Sequence, residues 1–248
     1  MLIQRKRALF AAAIICATGA LSACGGSGGS SSNGGLGAAS FPANSKTFVG
    51  SDLHVQTAGM FLGDPSTTSG CSVSMFGDSI LRGGYPLNNL PATLPETPAA
   101  GVHRMRPAYT VVDNAGDGDF ALRKLQSFLN SSLDTRFVVI EYGMNDAGNG
   151  LAYEAPLRSM VRRVTAAGRK PIVTGLSHVV DEVPNRDAYD AVARRVAAEE
   201  GALFADWDSV PFDKSQMMDG VHPSQPYSTR LAERIVEVLD KAAPECAQ

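Results

Sequence analysis

Phe137-Val138-Val139-Ile140-Glu141-Tyr142-Gly143-Met144-Asn145-Asp146 is the stretch from which the fold is read. Its first half is apolar at consecutive positions and β-branched at its centre. That pattern suits a strand buried on both faces, as in a parallel sheet. Its second half turns polar behind a glycine, where a strand gives way to a loop. Outward from this stretch the same alternation repeats. Residues 72–76 and 109–112 precede it as short apolar runs, and 171–176 and the weaker 202–205 follow it. Helical spacing lies between the runs. Leu122, Leu125, Phe128 and Leu129 form one stripe, and Leu157, Met160, Val161 and Val164 a second, with Gly168 as its stop. Tyr189, Val192 and Val196 form a third before Gly201, and Leu231, Ile235, Val238 and Leu239 a last. These stripes read as core-facing. Strand alternating with helix predicts a three-layer, doubly wound α/β domain of about five parallel strands in the flavodoxin-like order. In such a sheet the ligand site lies outside the carboxyl ends of the strands.

The first part of the 248-residue chain reads differently. Arg5, Lys6 and Arg7 are followed by an apolar run from Leu9 to Ala20, too short to span a bilayer comfortably. Residues 1–23 therefore read as a signal peptide. Leu21-Ser22-Ala23-Cys24 is similar to the lipobox of bacterial lipoproteins, which implies a lipid-bearing Cys24 and an anchor in a bacterial cell envelope. The plainer reading is an ordinary secretory signal with an incidental Cys. Residues 24–45 are rich in Gly, Ser and Asn, and read as a flexible tether of roughly 25 Å r.m.s. span. Residues 46–248 remain for the domain, long enough for one sizeable core. The role of residues 46–70 within it is open.

The formal net charge is −3 and no basic stripe is present, which argues against nucleic acid as a partner. Membrane attachment would come from lipid and not from a polybasic surface. Of the four Cys, Cys16 would leave with the signal and Cys24 would carry lipid. Cys71 and Cys246 remain, and in an oxidising compartment they are expected to form a disulfide; two separate thiols are the alternative.

Four polar motifs follow predicted strands: Gly77-Asp78-Ser79, Asp117-Gly118-Asp119, Gly143-Met144-Asn145-Asp146 and Asp219-Gly220-Val221-His222. Ser79 can expose a hydroxyl and its own N–H at a strand-to-helix turn, although a helix N-cap is the commoner use of such a Ser. Asp219 stands three residues before His222, close enough to hold Nδ1–H while Nε2 faces outward. His178 also follows a strand, with Asp181 nearby, but lacks that tight turn. Asn145 can donate its amide to an oxyanion, or serve only as a turn residue. Gly118 lets the backbone approach a ligand and offer its N–H, or is only a turn glycine. The scattered His residues show no metal-ligand spacing.

Together the four motifs resemble the conserved blocks of the SGNH hydrolases, the GDSL esterase and lipase superfamily. The resemblance runs over about residues 72–243. It implies Ser79 as nucleophile, Asp219 and His222 as its partners, and the Ser79 and Gly118 N–H groups with the Asn145 amide as an oxyanion hole. It implies no cofactor and no metal. Asp113 stands where many members carry Asn, and Gly116 competes with Gly118 for the oxyanion position. The expected activity is hydrolysis of small-molecule or glycan esters through an acyl-enzyme. Residues 83–107 carry prolines at 86, 91, 95, 98 and 107, which disfavour a long regular helix. With no such helix to line an acyl channel, short acyl groups, acetyl above all, are expected. The alternatives are a lysophospholipase or thioesterase, a carbohydrate O-acyltransferase, and a non-enzymatic envelope lipoprotein. Oligomeric state is not legible.

Overall fold

In a computed structural model the described residues are 70–248. The expected signal, lipidated Cys24, tether and first part of the domain lie outside them. From Ser72 onward, strands and helices alternate. Strands β1 (Ser72–Gly77), β4 (Thr110–Asp113), β5 (Phe137–Glu141), β6 (Lys170–Thr174) and β7 (Leu203–Ala205) form one sheet in the order β4-β1-β5-β6-β7. Every neighbouring pair is parallel. This is the doubly wound, flavodoxin-like arrangement, and the expected five strands are present.

Side-chain alternation along the strands builds a core on each face of the sheet. Phe137, Val139, Met75 and Ile172 point to one face. There they meet α2 (Pro98–Met105) and α7 (Gln225–Ala242) through Val102, Tyr227, Leu231 and Ile235. Val138, Ile140, Phe76 and Val173 point to the other. They meet α3 (Ala121–Leu129), α5 (Glu154–Ala166) and α6 (Arg186–Glu199) through Phe128, Leu157, Val161 and Val196. Each such fully buried side chain contributes about 1.5–3 kcal/mol of transfer free energy. Not every apolar stripe faces the core. Leu122, at the start of α3, is 48% exposed, because only part of that helix's apolar arc meets the sheet. Among the described residues edge strand β4 is covered on one side only, and Val112 is exposed.

The proline-bearing segment is more ordered than a loop. Gly84–Leu87 (β2) and Leu90–Thr93 (β3) pair as an antiparallel hairpin, with Asn88 and Asn89 at positive φ in its two-residue turn. Pro86 and Pro91 face each other across it. The rung next to the turn, Leu87 with Leu90, is of the hydrogen-bonded kind. The proline rung is of the other kind and needs no N–H. Pro98 then opens α2 at its first turn, where a missing N–H costs nothing, and Thr97 caps it by accepting from the Ala100 N–H at 3.2 Å. Prolines that disfavour a long helix thus coexist with an eight-residue one.

Cys71, at the start of β1, forms a disulfide with Cys246, just past α7, across a separation of 175 residues. Among the described residues no helix is long and apolar enough to cross a membrane.

Candidate active site

The site is assembled at the carboxyl ends of the strands. After β1 the chain turns at Asp78 into the short helix α1 (Ser79–Arg82). Asp78, not Ser79, is the N-cap: its Oδ1 accepts the Ile80 N–H at 2.8 Å. Ser79 is thereby the first helical residue, with its hydroxyl free to reach outward. The turn is tight. A Cβ on Gly77 would sit 2.6 Å from the Glu141 carbonyl oxygen and 2.7 Å from Leu81, so only glycine fits.

Ser79 Oγ lies 3.0 Å from His222 Nε2, although the two are 143 residues apart in sequence. His222 Nδ1 lies 2.8 Å from Asp219 Oδ2. The other carboxylate oxygen, Oδ1, accepts the N–H groups of Val221 and His222 at 2.8 and 2.7 Å. Burial pushes the Asp219 carboxyl up, but these three hydrogen bonds outweigh it and hold the group below the usual carboxylate range. A carboxylate at Nδ1 requires the proton there, which leaves Nε2 of the neutral ring as the acceptor for the Ser79 hydroxyl. The loop itself is clamped. Met218 N–H donates to the His222 carbonyl at 2.8 Å, and the Gly220 carbonyl accepts from Val180 and Asp181.

His178 is engaged elsewhere. Its Nε2 lies 2.8 Å from the Asp208 carbonyl, and its ring packs against Phe212 at 5.4 Å. Asp181 bonds through its backbone to the His222 loop and does not orient His178.

The loop after β4 brings Gly118 to the same place. Its φ is +64°, a left-handed conformation that favours glycine, and a Cβ there would meet only open space. The Asp117 carboxylate forms an ion pair with Arg82 that ties this loop to α1. Among the described residues neither the Ser79 nor the Gly118 N–H has a protein acceptor. Asn145 opens α4 (Met144–Gly148) after β5. Its Nδ2 donates to the Asp119 carbonyl at 2.9 Å and lies 3.4 Å from Asp78 Oδ2. The first contact is a full hydrogen bond, and the second is long enough to be given up. Asp146 points inward and accepts the Ala121 N–H, tying α3 to this turn. Burial raises its carboxyl to about 6.

These groups surround an open cavity of ≈ 350 Å³. Ser79, Gly118, Asn145 and His222 form one side of it, and Tyr85, Pro86, Leu90 and Pro91 of the hairpin form the other. The hairpin wall was not legible as a unit in the sequence. The signal for it was Asn88-Asn89 between two leucines, masked by the flanking prolines. Chemically, the arrangement offers a hydroxyl joined to a base, a base joined to a carboxylate, and unused N–H donors beside the hydroxyl. Those are the requirements of acyl transfer.

Solved structures of similar shape have related descriptions. The crystal structure of TesA matches with a TM-score of 0.57 and 26% identity, over 68% of this chain and 98% of that one. A lipase/acylhydrolase from Enterococcus faecalis matches with 0.56 and 25% identity, over 68% and 96%. A carbohydrate acetylesterase family member from Sinorhizobium meliloti shares the fold, with 0.59 and 14% identity over 68% and 97%. No curated protein sequence matches the chain significantly. The model of the GDSL-like Lipase/Acylhydrolase family matches residues 62–226, about two thirds of the chain. Residues 62–226 thus place this chain in the GDSL-like Lipase/Acylhydrolase family, as a hydrolase of ester bonds.

Proposed function

We propose that this chain is a serine esterase that works through an acyl-enzyme, with Ser79 as nucleophile, His222 as base and Asp219 as its orienting carboxylate. The observation that carries the reading is the unbroken hydrogen-bond chain from Ser79 Oγ through both ring nitrogens of His222 to Asp219, at 3.0 and 2.8 Å. Ser79 Oγ attacks the ester carbonyl carbon as its proton passes to His222 Nε2. The carbonyl oxygen becomes an oxyanion, held by the N–H groups of Ser79 and Gly118 and by the Asn145 hydrogen that reaches Asp78 only at 3.4 Å. His222 returns the proton to the departing alcohol. Water, deprotonated by the same ring, then cleaves the acyl-enzyme and restores the Ser79 hydroxyl.

The substrates we assign are esters of short acyl groups, acetyl first, on small molecules or glycans. The support is the openness of the site: its far wall is a four-residue-stranded hairpin, and among the described residues no long helix extends the cavity into a channel. A second reading, longer acyl chains, is favoured by one specific observation. Leu87 and Leu90 at the hairpin tip are 51% and 68% exposed, and Leu90 lines the cavity. We further assign residues 1–23 to a signal peptide, 24–45 to a tether lipidated at Cys24, and 46–248 to the hydrolase domain. The protein is then held at a bacterial cell envelope, outside the cytoplasm.

A fluorophosphonate probe tests the nucleophile. The wild-type chain is expected to label at Ser79, and Ser79→Ala to lose labelling with its circular dichroism unchanged. Undiminished labelling of the variant overturns the assignment.

A further inference from the structure

Glu141 ends β5 and is 3% exposed, and Asp78 beside it is fully buried. Two acids in contact away from solvent are costly unless a cation or a proton intervenes. No cation does. The charged neighbours acting most strongly on the pair are Asp146, from α4, and Asp119, from the loop before α3. The nearby hydroxyls of Tyr142 and Tyr153 are pushed up by burial and stay protonated. A proton must therefore reside between the two carboxyls.

The hydrogen bonds around Ser79 say what that proton does. The Asp78 N–H donates to Glu141 Oε2 at 3.0 Å. The Ile80 N–H donates to Asp78 Oδ1 at 2.8 Å. Glu141 Oε2 reaches the Asp78 backbone, and the Asp78 carboxyl beside it raises the Glu141 carboxyl further. The amides on both sides of Ser79 are thus gripped by this pair, and the Ser79 amide alone is left without a protein acceptor.

We propose that Glu141 is a positioning residue: it carries a proton, donates it in a hydrogen bond to the Asp78 carboxylate, and so fixes the turn that aims the Ser79 N–H and hydroxyl at the substrate. The inference rests on the reading of Ser79 as nucleophile. Held this way, the pair bears one negative charge below the forming oxyanion instead of two. Burial drives the Glu141 carboxyl well above the ordinary carboxylate range and raises Asp78 to about 7, the latter partly offset by its bond from Ile80. The raised pair favours the folded state at low pH. Its contribution is fully present below the unfolded carboxylate pKa and is lost as pH rises through about 7 and beyond.

Glu141→Gln keeps an acceptor for the Asp78 N–H and a donor for the Asp78 carboxylate, so it tests the proton directly. It is expected to retain kcat on nitrophenyl acetate within about fivefold. It should also lose the part of the alkaline decline in kcat that comes from ionising the pair. Glu141→Ala, which strands the Asp78 N–H, is expected to lower kcat about tenfold to a hundredfold with KM little changed. The infrared spectrum at about pH 8.5, above the values of Asp78 (about 7) and Asp146 (about 6), is expected to show a protonated carboxyl band that Glu141→Gln removes. The band reports on the proton whatever Ser79 does, so its outcome is separate from that of the probe-labelling test. A folded Glu141→Gln that loses kcat a hundredfold overturns the proposal, as does a carboxyl band that survives in it. The infrared arm decides even if Glu141→Ala does not fold.

Discussion

Replacing Asp219 with Asn turns one acceptor into a donor while leaving shape and volume nearly unchanged. In one amide orientation the oxygen keeps the Val221 and His222 N–H groups, and the NH₂ faces His222 Nδ1. That ring nitrogen must then accept, so the proton moves to Nε2, which can no longer take one from Ser79. In the flipped orientation the oxygen faces Nδ1 and the ring is correct, but the NH₂ opposes two backbone donors now held at 2.8 and 2.7 Å. Losing both costs about 2–6 kcal/mol, at roughly 1–3 kcal/mol for each stranded group. The competent form is then populated about 30-fold to 10⁴-fold less, at 1.36 kcal/mol per decade. The expected result for Asp219→Asn is a fall of that size in kcat/KM on nitrophenyl acetate and in the rate of fluorophosphonate labelling. Its denaturation midpoint should stay near that of the wild type. His178→Ala serves as control, with a rate within a few-fold of wild type. A fall under tenfold for Asp219→Asn, or a larger loss at His178, refutes the reasoning.

The disulfide closes a loop of 175 residues, worth about 5 kcal/mol on the chain-entropy model; Cys71→Ser with Cys246→Ser should lower the melting temperature by about 10–20 °C, and a shift under a few degrees by calorimetry rules this out. In a nitrophenyl ester series, acetyl is expected to have the highest kcat/KM; a steady rise approaching fourfold per methylene out to decanoyl would instead establish a buried acyl chain. Cys24→Ser is expected to move the protein from the membrane fraction to the soluble one, and continued membrane association removes the lipid anchor.

The strands that decide the fold were legible because both of their faces are buried. β1, β5 and β6 read as consecutive apolar residues, and the structure places them at the sheet's centre. β4 was found a residue early, since the buried Tyr109 looks like strand but packs into the core just before it. The hairpin and α2 were hidden by prolines. Pro86, Pro91 and Pro98 each occupy a position where an N–H is not required, and sequence alone does not say which prolines are so placed. Asp219 and His222 were legible as a pair because their contact is local, while the contact of His222 with Ser79 follows only from the topology. Glu141 left one sign, an acid closing an apolar run. Its partner lies on a neighbouring strand's turn, and no local pattern reveals that.

The bond between Cys71 and Cys246 has a mechanical consequence. Cys71 is the entry to β1, whose six residues span about 20 Å at 3.3 Å per residue, and Ser79 lies just past the exit of the same strand. Cys246 is two residues from the carboxyl end of the chain. The described fold is therefore stapled, at Cys71 and Cys246, on the pole opposite its opening. A pull applied at Gly70 is divided at the sulfur bridge between β1, a strand paired on both edges, and the region that ends α7. Neither element joins the bridge at its site end: β1 meets the Ser79 turn, and α7 the His222 loop, only at the end away from the sulfurs. A pull at Gly70 thus meets the sulfur bridge before it meets the turn that carries Ser79.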